Sequence, residues 1–173
     1  MRSRVTVIAT LGSTPAALAA KAATTTIAIV FFTGFDPVKV GLVGSLNRPG
    51  GNVTGVTSLN AETGPKRLEM LRELIPGAVI IVLLSNPNNP AAETESEELE
   101  AVARKLGLRL HILHANRDRN IESTFANLAE LRAEALVLSN DGFFYSLRKQ
   151  LVDLARRYAV PTIFPWRDAV TDG

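Results

Sequence analysis

Cysteine is absent from this chain of 173 residues. That excludes disulfides, thiol nucleophiles, iron–sulfur clusters and cysteine-ligated zinc, and leaves the compartment open. Long apolar runs are missing too: no stretch of about 18 or more apolar residues exists, so no transmembrane helix is expected. Histidine is scarce. His111 and His114 are the only two, and three positions apart on a strand they point to opposite faces, so they do not chelate one metal. Charge of one sign is also lacking. Nineteen bases against 17 acids leave +2, and the isoelectric point near 9.2 reflects that small excess. No Lys/Arg run of phosphate-binding length occurs, so nucleic acid is not an expected partner. Neither a phosphate-loop signature nor a nucleophile-elbow signature is present. No cofactor is therefore expected.

What is present suits a globular α/β protein. About 80 of the side chains are apolar, 46% of the chain, enough for one compact domain or two small lobes. The opening Met1–Ala9 is basic and then briefly apolar. Gly12-Ser13-Thr14-Pro15 breaks it too early for a secretion signal, so it reads as a strand over Val5–Ala9. Short β-branched runs then alternate with amphipathic ones. Strands are predicted at Ile27–Phe32, Val53–Thr57, Val79–Leu84, Leu108–Leu113, Ala135–Ser139 and Pro161–Phe164. Helices are predicted at Pro15–Ala23 with Thr14 as N-cap, Pro37–Leu46 with Asp36 as cap, Pro65–Ile75, Ala91–Leu106 ended by Gly107, Ile121–Leu131 capped by Asn120, and Phe143–Tyr158. Strand–helix alternation of this kind implies right-handed crossovers and mostly parallel, doubly wound sheets. Three strands precede residue 60 and four follow residue 78, with Ser58–Gly64 as a crossing between residues 1–60 and 61–173.

In open parallel sheets ligands bind beyond the carboxyl ends of the strands. Those positions hold Ser13 and Thr14; Thr33, Gly34, Phe35 and Asp36; Ser58, Leu59 and Asn60; Asn86 and Asn88; Asn140, Asp141, Phe143 and Phe144; and Trp166 with Arg167. Ser13, Thr14 and the helix start at Pro15 suit a carboxylate. Asp36 or Asp141 suits an ammonium group, and Phe35, Phe143, Phe144 or Trp166 an apolar side chain. Together they describe an amino-acid pocket. Each also has a plainer reading. Thr14, Asp36 and Asp141 are good caps, Asn86–Pro90 is a good turn, and Arg167 is an ordinary surface ion-pair partner. The sequon Asn52-Val53-Thr54 falls at a strand and reads as chance.

The stretches Gly12-Ser13-Thr14-Pro15-Ala16-Ala17-Leu18-Ala19-Ala20-Lys21-Ala22-Ala23 and Thr33-Gly34-Phe35-Asp36-Pro37-Val38 resemble the substrate-binding proteins of bacterial ABC transporters. So do Leu46-Asn47-Arg48-Pro49-Gly50-Gly51-Asn52-Val53-Thr54-Gly55-Val56-Thr57, Lys66-Arg67-Leu68-Glu69 and Asn86-Pro87-Asn88-Asn89-Pro90. The resemblance implies a type I periplasmic binding protein fold, with two α/β lobes and a solute in the cleft between them. It implies amino-acid-like ligands, branched or aromatic, and ABC permease subunits as partners. It also implies a periplasmic or membrane-anchored extracellular location. By that resemblance Ser13, Thr14, Thr33, Gly34 and Asp36 would serve from the first lobe, and Asn86, Asn88, Asn140 and Asp141 from the second. Placement after the strands adds Asn60, Phe143 and Arg167 as candidate ligand residues. Family members are longer, so the chain is expected to be a fragment: part of the first lobe and most of the second. A second copy is expected to cover the apolar surface this leaves. Two other readings stay open. One is the effector domain of a transcription regulator, which shares the fold and calls for a helix-turn-helix. The other is a small flavodoxin-like enzyme, which calls for a phosphate loop or an acid–base pair.

Overall fold

The computed structural model describes residues 5–59, 63–117 and 120–172. It contains two parallel sheets. The first comprises β1 (Val7–Leu11), β2 (Ala28–Thr33) and β3 (Val53–Thr57), in that spatial order. The second comprises β4 (Ile80–Ser85), β5 (Arg109–His114), β6 (Ala135–Leu138) and β7 (Thr162–Ile163), in the order β5-β4-β6-β7. Seven helices are described: α1 (Thr14–Ala23), α2 (Gly64–Leu74), α3 (Ala92–Leu106), α4 (Ile121–Glu130), α5 (Gly142–Ser146), α6 (Arg148–Arg157) and α7 (Asp168–Thr171).

The second sheet shows why its central strands are uninterruptedly apolar. A strand covered on both faces needs apolar residues at every position. Ile81, Leu83, Ala135 and Val137 turn to one face and pack with Leu68, Leu71, Leu99 and Ala103 of α2 and α3. Val82, Leu84, Leu136 and Leu138 turn to the other and pack with Ile121, Phe125 and Leu128 of α4 and Leu151 and Leu154 of α6. The sheet is doubly wound. Gly107 ends α3 in the left-handed conformation, at φ 69°, where glycine carries no Cβ penalty.

Among the described residues the first sheet is covered on one face only. Ile29, Phe31 and Val53 pack with Ala17 of α1 and with Leu42 and Val43. The opposite face presents Val7, Leu11, Val30, Phe32 and Val56, all exposed. Asn52 is held in the turn before β3, its amide donating to the carbonyls of Thr24 and Ile27.

Several sequence expectations change. The N-cap of α1 is Ser13, whose hydroxyl accepts from the Ala16 N–H; Thr14 is the first helical residue. Residues 37–46 form no helix. Asp36 caps a single turn, accepting from the Val38 N–H at 2.8 Å, and Gly41, at φ 73°, closes it while Leu42 N–H returns to the Pro37 carbonyl. Phe143–Tyr158 is two helices. The Ser146 hydroxyl donates to the Phe143 carbonyl and the Leu147 N–H donates to the Phe144 carbonyl, so the ladder breaks there. Asn120 precedes α4 without a side-chain cap. The short α7 was not anticipated.

Phe125 is fully buried and lies 5.8 Å from the Tyr158 ring, centroid to centroid. Phe125→Ala is expected to cost about 3–5 kcal/mol, read from urea unfolding, through lost burial and a residual cavity.

Candidate functional site

Because every strand in both sheets is parallel to its neighbours, the loops after the strands gather at one edge of each sheet. The two edges meet around a cavity of about 370 Å³. From the first sheet it is walled by Leu11, Gly12, Thr14, Phe32, Gly34, Phe35 and Ser58, and from the second by Asn89, Asn140, Asp141, Gly142, Tyr145 and Trp166. Among the described wall residues one is an acid and none is a base.

On the first side the loops are tied by hydroxyls. Thr14 and Thr33 share a buried hydrogen bond of 2.9 Å, and Thr33 Oγ1 also accepts from the Phe35 N–H. Thr14 lines the cavity, while Thr33 lies behind it and shapes the turn. Ser13 is a cap. In the first turn of α1, Pro15 carries no N–H and Ala16 and Ala17 N–H bond back to Ser13. The Thr14 N–H is the donor left over among the described bonds.

On the second side Asp141 organises the loops. Its Oδ1 accepts from the Phe143 N–H at 2.8 Å, capping α5, and from the Asn86 amide at 3.1 Å. Its Oδ2 accepts from the Asn89 amide at 2.8 Å. Asn86 Oδ1 and Asn89 Oδ1 accept in turn from the N–H groups of Asn88 and Ala91. The next wall is aromatic. Trp166 Nε1–H donates to Asn140 Oδ1 at 2.9 Å, and the Trp166 and Tyr145 rings meet edge to face with centroids 5.3 Å apart. Tyr145 donates its hydroxyl proton to Asp168 at 2.7 Å, and this hydrogen bond with the Asp168 charge holds its pKa above the ordinary value. Arg148 stacks over the Tyr145 ring and pairs with Asp172 at 2.7 Å. Helix α7 thus pins the segment carrying Trp166.

Of the sequence candidates, Thr14, Gly34, Asn140 and Asp141 come together in the wall. Thr33, Asn86 and Ser13 support it from behind. Asp36 is turned into a neighbouring cavity with Lys39, Thr94, Glu95 and Glu98, beyond Phe35. Asn88 and Arg167 are exposed and form no part of the wall, and Phe143 packs on the second-sheet core instead. Asn60 lies outside the described residues. Asn89 and Tyr145 join the wall without a sequence signal that marks them for it. Asn89 sat inside a turn motif, and Tyr145 inside an apparent continuous helix whose inward face lay elsewhere.

Two glycines let the sides meet. A Cβ on Gly142 would stand 2.1 Å from the Gly12 carbonyl oxygen, and one on Gly34 would stand 2.1 Å from the Asn140 amide nitrogen. Behind the Asn140 loop lies a buried pair, Arg67 Nη2 and Glu95 Oε1 at 3.6 Å. Burial pushes the Glu95 carboxyl up to about 7, against the lowering effects of Arg67 and the Asn140 N–H. Burial likewise lowers Arg67. Both directions say that desolvation outweighs the attraction in this long pair.

Two parallel sheets whose strand ends converge on a shared, partly apolar cleft define the type I periplasmic binding architecture. The chain belongs to the family described as ABC transporter substrate binding protein, whose model matches residues 1–173. It is 27% identical over 161 residues to the tyrosine-binding protein of Clostridioides difficile (strain R20291), covering 93% of this chain and 46% of that one. The crystal structure of a conserved domain protein from Vibrio cholerae matches with TM-score 0.83 and 28% identity, over 97% of this chain and 55% of that one. An ABC domain from Streptococcus pneumonia in complex with L-Trp matches with TM-score 0.78 and 25% identity, over 93% and 55%. The chain spans about half the length of these relatives. The family is one of solute-binding proteins rather than enzymes, and its members are typically periplasmic or extracellular. Among the described residues no helix is long and apolar enough to cross a membrane.

Two outcomes are expected. Gly142→Val drives a branched side chain into the Gly12 backbone, so small-angle scattering gives a larger radius of gyration than the wild type. Gly34→Ala gives a smaller change, because a side-chain amide can move aside. The sign for Glu95 follows from its folded pKa lying above its ordinary value of 4.5. Its contribution to stability is full below that value and lost as pH rises through about 7. In urea unfolding, wild type therefore loses stability relative to Glu95→Gln between about pH 5 and pH 8.

Proposed function

We propose that this chain carries the cleft of an ABC importer's solute-binding protein and holds a small amino acid with an aromatic or branched side chain, without catalysing any reaction on it. The observation that carries this reading is the composition of the cavity wall. One carboxylate, Asp141, stands among neutral hydrogen-bonding groups and four aromatic rings: Phe32, Phe35, Tyr145 and Trp166. A lone acid favours an ammonium group, and the rings favour a flat or branched apolar side chain. The Thr14 N–H at the start of α1 and the neutral amides of the wall suit the ligand carboxylate, which needs donors and gains from the helix N-terminus. Relatives named for tyrosine and bound to L-Trp support the ligand class. Residues 1–60 and 61–173 would act as the two lobes, closing on the solute, and permease subunits would receive it from the intact protein at the outer face of the membrane.

The bare face of the first sheet supports a second inference, that two copies of this chain pack there. Val7, Val30 and Val56 are exposed on that face outside the cavity wall, and exposed apolar surface of this kind drives association. Light scattering at micromolar concentration should give at least a dimer; a monomer would count against it.

The ligand reading is tested by thermal shift against the twenty amino acids. A ligand present at 100 times its Kd adds about 2.7 kcal/mol, or several degrees. Aromatic or branched amino acids should raise Tm, whereas 3-phenylpropionate, which lacks the amine, should not. Asp141→Asn keeps the acceptor shape at one oxygen and removes the charge, and is expected to weaken binding about 10- to 100-fold. An unchanged Kd in that variant would sink the assignment of Asp141 to the amine.

A further inference from the structure

We propose that Arg67 and Glu95 are positioning residues for the cleft: from behind, they clamp the exit of β6, so that Asn140, Asp141 and, through Asn140, Trp166 keep their places in the cavity wall. The proposal rests on the binding reading for its purpose but not for its geometry. Arg67 on α2 and Glu95 on α3 come from helices on one face of the second sheet, and neither lines the main cavity. Arg67 Nη1 donates to the Leu138 carbonyl at 2.6 Å, a buried bond across 71 positions of sequence. Glu95 faces the Asn140 backbone N–H. Leu138 at one end of Leu138-Ser139-Asn140 is thus bonded to the cation of the pair, and the Asn140 N–H at the other end adjoins its anion closely enough to lower the carboxyl. Beyond this segment come the Asn140 amide that takes the Trp166 indole N–H and the Asp141 carboxylate that gathers Asn86 and Asn89.

A clamp made for stability alone would be an odd choice here. Arg67 Nε and Nη2 and Glu95 Oε1 have no hydrogen-bond partner among the described residues, and a buried pair with unfilled bonds stabilises little or costs stability. What the pair supplies is a fixed place for the Leu138 carbonyl. Four further groups face or adjoin Glu95. Asp141 and Glu98 raise its carboxyl, and Asp36 and Lys39 line the side cavity that Glu95 shares. With the carboxyl poised at about 7, loss of its charge weakens the hold on the Asn140 N–H within an accessible pH range.

The chain supplies its own reporter, since Trp166 is the only tryptophan. The experiment follows its emission maximum and intensity in the ligand-free protein from about pH 5 to pH 9. Wild type should show one transition centred near 7. Glu95→Gln should be flat across that range. Arg67→Met removes the charge that lowers Glu95 and should move the midpoint up by about one unit or more. Tyr145 is held above its ordinary value and stays protonated throughout. The histidines lie on β5, at the opposite edge of the sheet from β7, so His111→Gln/His114→Gln should keep the transition. A featureless wild-type titration, or a transition that survives in Glu95→Gln, overturns the proposal. Calorimetry with L-tyrosine and L-tryptophan forms a separate arm. Wild-type affinity should change several-fold between pH 6 and pH 8 while that of Glu95→Gln does not. If neither amino acid binds at any pH, the ligand reading fails, and the fluorescence arm still decides the positioning role.

Discussion

The Asp141 carboxylate is the interaction on which the rest of the site depends. It receives an amide from each of two asparagines in the β4–α3 loop and a backbone N–H from the start of α5. A buried carboxylate is tolerable only when its lone pairs are filled, and filling them joins two loops and a helix start at one point. The aromatic wall follows from that junction. With α5 begun at Gly142, Tyr145 stands one turn later, against Trp166 and Asp168. Coordination of Asp141 is thus both a local cap and the scaffold of the second half of the cavity.

Much of this was legible in the sequence because it rests on local rules. The two-sided burial of β4 and β6 was written in unbroken apolar runs, and the end of α3 in Gly107. The gathering of Thr14, Gly34, Asn140 and Asp141 followed from their places after parallel strands. What stayed hidden was decided by competition between local options. Ser13 and Thr14 are equivalent caps on paper, and Ser13 caps because Thr14 is turned inward to Thr33. Pro37–Leu46 has a helix-like start, but Gly41 adopts a left-handed conformation and Lys21 Nζ bonds its carbonyl at 2.7 Å. The break at Leu147 keeps the heptad-like spacing of Leu147, Leu151 and Leu154, so periodicity alone could not reveal it. Asp36 looked equal to Asp141 by type and placement. Only the fold shows that Phe35 stands between it and the main cavity.

The two glycine contacts show how closely the facing loops approach. Gly12 and Gly142 meet through backbone, and Gly34 meets an amide. Backbone cannot yield as a side chain does, so the first contact sets the nearest distance between the two sides. The second can adjust to what occupies the space between them. The cavity therefore combines a fixed rim with an adjustable one. Under the proposed binding role, such a rim would exclude water around a small solute while admitting related side chains.

The unequal covering of the two sheets has a consequence for cooperativity. The second sheet is sandwiched between helices, whereas the first has a single small core beneath it. Opening free energies need not be uniform across one chain, and segments with few buried apolar contacts open first. The amides of β1 to β3 should then exchange with solvent through partial opening while those of β4 and β6 wait for global unfolding. A solute bridging the two sides would tether the looser layer to the firmer one. Occupancy of the cleft would thereby turn two folding units into one.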